Sequence, residues 1–153
     1  MIDPTVRRAV PADAGPLAAL EEEARVAVAA TRGGARWLQL HEPIGSEWTA
    51  AMAARAVFVA ELDGGRGPTP VGYLVADVGD DAERVLVVEQ VFVHPDAREL
   101  GFGDALLAAA ADHGRESGAT LIEAETLPGD RTIKNLYERA GITARLIVVS
   151  SRL

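Results

Sequence analysis

Residues 98–103 read Arg-x-x-Gly-x-Gly, where a β-branched run ending at Val93 gives way to an alanine-rich segment. Glycine tolerates positive φ and lets another molecule approach the backbone closely, and the first turn of a helix offers unpaired N–H groups at the positive end of its dipole. Together these make a cradle for an anion, built from backbone amides and so available even to an acidic protein. Two other phosphate motifs fail: a Walker loop needs Gly-Lys-Ser/Thr, and a dinucleotide fingerprint needs a third glycine where Leu106 stands. A plain strand-to-helix turn would show the same spacing, so the surroundings must decide.

Two further residues could move protons. Glu89 lies inside the run Val85 to Val93, which is apolar on both faces except here and at Gln90. A carboxylate in such a place costs several kcal/mol unless it is paired, hydrated or neutralised. It is either a base in a wet cleft or the partner of a cation on a neighbouring element. Tyr137 offers a phenol, yet it also fits a helical stripe with Ile133, Leu136 and Ala140. Cysteine is absent, which removes thiolate nucleophiles and sulfur-ligated zinc. His41, His94 and His113 show no ligand spacing, so no metal site is expected.

These residues need a scaffold. "TVRRAV" at Thr5 to Val10 reads as a first strand, and a helix follows with Asp13 placed to cap it. Glu21 to Glu23 on that helix read as a solvent face. Residues 31–43 show no clear period, "SEWTAAMAAR" reads as a short second helix, and Trp37 and Trp48 read as packing anchors in preference to walls of a substrate cage. Val57 to Leu62, Val71 to Val78 and Arg84 to Val93 form an antiparallel meander. The helix after the glycine pair runs to about Ser117 and stops at Gly118, and "TLIEAET" returns as a parallel strand, completing a βαβ unit. A final helix is capped by Asp130 and stopped by Gly141, and "TARLIVVS" supplies a last strand. The whole, residues 1–153, reads as one α/β domain with a mixed sheet and helices on its faces.

Fifteen basic against twenty-three acidic residues give a formal charge of −8, which argues against binding to nucleic acid or anionic membranes. "MIDPTVRRAV" lacks the apolar core of a signal peptide, and the longest apolar run, Ala105 to Ala111, is too short to span a bilayer. A cytoplasmic location is therefore expected.

"VEQVFVHPDARELGFGDALL", followed by "NLYERAG", resembles the acyl-CoA-binding core of the GNAT superfamily of N-acyltransferases, and the element order is similar to that fold over Val57 to Gly141. The opening "TVRRAVPADAGPLAAL" is similar too. The resemblance implies a mostly antiparallel mixed sheet flanked by helices on both faces. It implies an N-acetyltransferase that moves an acetyl group from acetyl-CoA directly to a small-molecule or peptide amine. By the same resemblance, Arg98, Gly101 and Gly103 surround the pyrophosphate of coenzyme A, beside the amides of Glu99, Leu100, Phe102 and Asp104. Asp130 stands near that site where the family commonly has asparagine.

Val91 and Val93 would take the pantetheine arm where the strand splays from its parallel neighbour, with the Val91 N–H aimed at the thioester oxygen. Simple alternation puts Glu89 on the face of Val91 and Val93, where it would accept the amine's proton. Tyr137 would protonate the departing thiolate. One strand follows the last helix where the family usually has two, which implies a homodimer that completes the sheet edge. The rival expectation is a module that binds acyl-CoA without turnover.

Overall fold

The computed structural model describes residues 3–153. Five strands, β1 (Thr5–Arg8), β2 (Ala56–Asp63), β3 (Pro68–Val78), β4 (Val85–Val93) and β5 (Leu121–Ala124), lie side by side in that order. The first three pairings are antiparallel and β4–β5 is parallel, so the sheet is mixed and mostly antiparallel. A parallel pair cannot be joined by a tight turn; helix α4 (Phe102–Glu116) makes the crossover between β4 and β5.

Strand alternation sorts the core into two layers. Phe58, Ala60, Leu74, Ala76, Leu86 and Val88 face α4, which answers with Phe102, Leu106, Leu107 and Ala110 at helical spacing. On the opposite face Val57, Val59, Tyr73, Val75 and Phe92 meet α1 (Ala14–Ala29) and α3 (Trp48–Ala54). Trp48 sits edge-on to Tyr73 at 5.4 Å, as a packing anchor should. Both faces of the central strands are thus covered, which is why β2 and β3 are almost wholly apolar. The α2 helix (Gly34–Leu40) and α5 (Arg131–Arg139) flank the end where β4 and β5 part.

Three expectations are corrected, and one unread stretch proves helical. Residues 143–150 form no strand; Leu146, Ile147, Val148 and Val149 are 79–88% exposed. The unreadable stretch after Thr31 contains α2, whose Gly34 lies so close to the Val28 carbonyl that any side chain would collide with it, 1.8 Å from its Cβ. Asp13 begins α1 but does not cap it; its carboxylate instead accepts the Val10 amide at 2.7 Å and the Arg7 guanidinium at 2.7 and 2.9 Å. Glu21 is 2% exposed, although Glu22 and Glu23 do face solvent. Among the described residues no helix is long and apolar enough to cross a membrane.

Candidate active site

The sheet opens at the middle of β4. Val88 is the last β4 residue paired with β5, opposite Ala124, and beyond it the two strands separate. On the other edge, His94 N donates to Val71 O at 2.7 Å, and the register continues through Gly72–Val93, Tyr73–Phe92 and Leu74–Val91. Antiparallel pairs alternate between bonded and non-bonded, so Val91 and Val93 occupy non-bonded positions. Their amides point away from β3 and into the gap that β5 vacates.

Glu89 is a different case. Val75 faces Gln90 and Ala76 faces Val88, so Glu89 is the extra residue of a β-bulge. The bulge resets the alternation: Leu86 and Val88 before it pack with Val91 and Val93 after it in one core cluster, while Phe92 packs in the other. Glu89 therefore does not share a face with Val91 and Val93. Its Oε2 accepts from Arg55 Nη1 at 2.7 Å, the pairing with a neighbouring cation that was one of its two expected uses. It nonetheless lines a cleft of about 90 Å³ together with Gln90, Val91, Trp37, Asp130 and Tyr137.

Buried polar groups hold that cleft's wall. Gln90 Nε2 donates to Glu21 Oε2 at 2.9 Å, and Gln90 Oε1 accepts from the Tyr73 hydroxyl at 2.7 Å. Glu21 also accepts the amides of Ile44 and Gly45 at 3.0 and 2.8 Å. One carboxylate on α1 thus fixes both the bulged strand and the turn that follows α2. Burial, with the Glu21 charge adding to it, holds the Tyr73 phenol far above its ordinary pKa.

Tyr137 comes from α5, whose N-terminus Asp130 caps by accepting Ile133 N at 3.1 Å. The phenol is 6% exposed, and burial first, then the Asp130 charge, raises its pKa well beyond the usual tyrosine value. It stays protonated at neutral pH and can act only as a proton donor there.

The glycine pair splits into two tasks. Gly101 takes φ +86° at the start of α4, preceded by Glu99 at φ +64°. Gly103 instead packs against α5: a Cβ there would stand 3.4 Å from the Leu136 methyls, in contact but without a clash. Among the described residues the amides of Glu99, Leu100, Gly101, Phe102, Gly103 and Asp104 have no acceptor, and only with Ala105, bonded to Gly101 O at 3.0 Å, does the helix ladder begin. Those free donors at a helix N-terminus suit a diphosphate. Arg98 turns its guanidinium elsewhere, with Nε on Val93 O at 3.1 Å and Cζ 5.9 Å from the Phe92 ring centre. It braces the end of β4. Asp104, an acid beside the cradle, is matched by Arg139 of α5 at 3.2 Å.

Sequence reading did not anticipate Arg25 and Glu125 in the cleft lining, and Trp37, expected as a packing anchor in preference to a wall of the acceptor pocket, is half-buried and lines the cleft. Trp37 stacks on His41 with ring centres 4.0 Å apart, and the His41 imidazole reaches Glu125 beyond β5 at 3.5 Å, bridging the cleft. Gln90 carried the one available signal, a second polar residue inside an apolar strand.

The model of the Acetyltransferase (GNAT) family matches residues 18–142. The probable N-acetyltransferase camello of Xenopus tropicalis is 35% identical over 91 residues, 59% of this chain. The chain spans only about 40% of that relative's length. In three dimensions it is similar to the BH1408 protein of Bacillus halodurans, with a TM-score of 0.79 at 17% identity over 97% of this chain and 99% of the other. It is also similar to the acetyltransferase AAC(6')-Iy, solved with a bisubstrate analogue of CoA, with a TM-score of 0.69 at 20% identity over 99% and 100% of the two chains.

Proposed function

The chain belongs to the GNAT family of acetyltransferases, and from that premise we propose that it transfers an acetyl group from acetyl-CoA to an amine. The observation that carries this reading is the parting of β5 from β4, which leaves the Val91 and Val93 amides free a short way along the chain from the unpaired amides of residues 99–104. Six backbone donors hold the diphosphate of the acyl donor, and the strand gap takes its amide-bearing arm. Acetyl-CoA supplies an activated acyl thioester. The Val91 N–H donates to the thioester oxygen as negative charge develops on it.

An amine arrives protonated at neutral pH and must lose that proton before it attacks. Glu89 accepts it, directly or through water, while Arg55 keeps the carboxylate oriented at the cleft. Tyr137, neutral because it is buried, gives its proton to the departing sulfur. Transfer is direct, since the chain has no cysteine to carry the acyl group. Trp37, Glu125 and Asp130 line the acceptor side and favour a small cationic amine.

The test is thiol release from acetyl-CoA across a panel of amines. Release that depends on the amine supports the assignment. Saturable coenzyme A binding with no amine-dependent release would reduce the protein to a binding module, and absence of any coenzyme A effect on Tm would remove the site altogether.

A further inference from the structure

Past Val88 the strand that carries the Val91 amide is held on one side only, because β5 has left it and only the register with β3 continues. The bulge at Glu89 weakens even that support, since a bulge leaves its extra residue unpaired and disrupts the ladder locally. The Val91 N–H belongs to the peptide group that joins Gln90 to Val91, so whatever turns Gln90 turns the donor. Misplacing a reacting group by about 1 Å costs on the order of 100-fold in rate, so this stretch of backbone needs a further anchor.

The Gln90 side chain supplies one from the opposite layer. Its Oε1 accepts from the Tyr73 hydroxyl at 2.7 Å, and its Nε2 donates to Glu21 Oε2 at 2.9 Å. Both partners are buried, and Glu21 is itself fixed by the Ile44 and Gly45 amides. Glu21 meets three N–H donors and acts only as an acceptor, so a single orientation of the amide satisfies both ends. An apolar side chain would fill the same space without two buried polar partners; what the amide adds is direction. The other charged groups nearby are engaged elsewhere: Arg25 of α1 donates to the His41 carbonyl at 2.8 Å, and Glu89 of β4 accepts from Arg55.

We infer that Gln90 is a positioning residue for acetyl transfer: pinned between Tyr73 and Glu21, it holds the bulged strand so that the Val91 N–H stays aimed at the thioester oxygen. This rests on the acetyl-transfer reading of the cleft. Gln90 acts through Val91 and takes no part in moving protons. Because Glu21 also binds the turn after α2, the same contact keeps the donor strand in step with the helix that carries Trp37 into the cleft wall.

Gln90→Met fills the same space without either hydrogen bond. It should lower kcat about 10–100-fold while KM for acetyl-CoA changes by less than about twofold. Gln90→Glu keeps the acceptor for Tyr73 but sets a second carboxyl group against Glu21. Two such groups at hydrogen-bond distance resist ionising together, so at low pH one keeps a proton and donates it to the other, and the proton is lost as pH rises. The ratio of Gln90→Glu to wild-type kcat should therefore be near one at about pH 6 and fall in alkali toward that of Gln90→Met, a limb that lost packing would not produce. The residual dipolar coupling of the Val91 N–H in the free protein reads its direction without turnover, and it should change in Gln90→Met while that of Val57 in β2 does not. A Gln90→Met variant with the wild-type kcat overturns the inference, as does an unaltered Val91 coupling. If the wild type releases no thiol with any amine, the acetyl-transfer reading fails by itself, and the Val91 coupling then upholds or overturns the placement by Gln90.

Discussion

Arg55 and Glu89 are joined at 2.7 Å, and each side chain is 35% exposed. The pair ties the residue that follows α3 to the bulge in β4, so the carboxylate is held in one orientation on the lining of the cleft. Glu89→Gln keeps the shape and a hydrogen-bond acceptor for Arg55 but removes the base. It should lower kcat about 100-fold with little change in KM for acetyl-CoA. Arg55→Met, which leaves the carboxylate but frees it to rotate, should cost less. Steady-state thiol release measures both, and an unaltered kcat in Glu89→Gln removes the residue from the chemistry.

Tyr137→Phe is a cleaner test, because among the described residues the hydroxyl bonds to no other group. Its removal should therefore leave Tm within about a degree while kcat drops roughly 100-fold. The phenol's raised pKa adds a pH signature: it remains a proton donor well above pH 8, so any alkaline fall in wild-type kcat near neutrality must come from another group. If Tyr137→Phe keeps its kcat, the stripe position of Tyr137 is explained by packing alone.

The two glycines of the cradle should separate in kinetics. Gly101 sits at φ +86° with Pro4 3.3 Å from where a Cβ would stand, so Gly101→Ala strains the loop by about 1–2 kcal/mol and should raise KM for acetyl-CoA. Gly103→Val would instead push on Leu136, the neighbour of Tyr137, and should depress kcat as well. Equal effects of the two substitutions on both constants would contradict this division.

The fold was legible where period and punctuation agreed. Apolar strands bounded by glycine and proline, and α4 with its Phe102–Leu106–Ala110 stripe, could be read directly. Glu89 shows the limit of period: a single inserted residue shifts every later side chain to the other face, and no local residue type announces a bulge. The α2 helix was hidden because its seven residues show no apolar period, and the need for glycine at 34 is a tertiary one, its closeness to the Val28 carbonyl. Residues 143–150 read as a strand from composition alone, yet a strand also needs a partner edge, which no local pattern can supply. The glycine that opens α4 could be read from the sequence, but the contact of Arg98 with Val93 O could not.

Glu21 should prove a principal stabilising residue despite standing in an acidic run. It is 2% exposed and satisfies the Ile44 and Gly45 amides and the Gln90 side chain at once. Glu21→Ala strands all three donors in the interior, at a cost of about 3 kcal/mol. For a chain of this size the corresponding fall in Tm is about 6–12 °C. Glu22→Ala, one residue along on the exposed side of α1, should change Tm by no more than about 1 °C. Equal Tm values for the two variants would mean that the buried network contributes nothing net.

The Arg7–Asp13 pair gives a pH dependence with a definite sign. The Arg7 guanidinium, hydrogen-bonded to Asp13 at 2.7 and 2.9 Å, lowers the carboxylate's pKa below its ordinary value against the opposing effect of burial, and the Val10 amide lowers it further. Because the folded-state pKa lies below the unfolded one, folding with Asp13 ionised is favoured in full above about pH 4–5, where the unfolded residue is also ionised. As pH falls, the unfolded chain takes up the proton first, and the contribution fades until the folded residue is protonated too. Arg7 also binds Glu61, and its own raised pKa lies outside the accessible range, so Asp13 carries the titration. The difference in urea midpoint between wild type and Asp13→Asn should be constant from pH 7 to about 5 and shrink steadily below about 4. A difference that persists unchanged to pH 2.5 would show that the amide replaces the carboxylate in shape alone and that the charge contributes nothing.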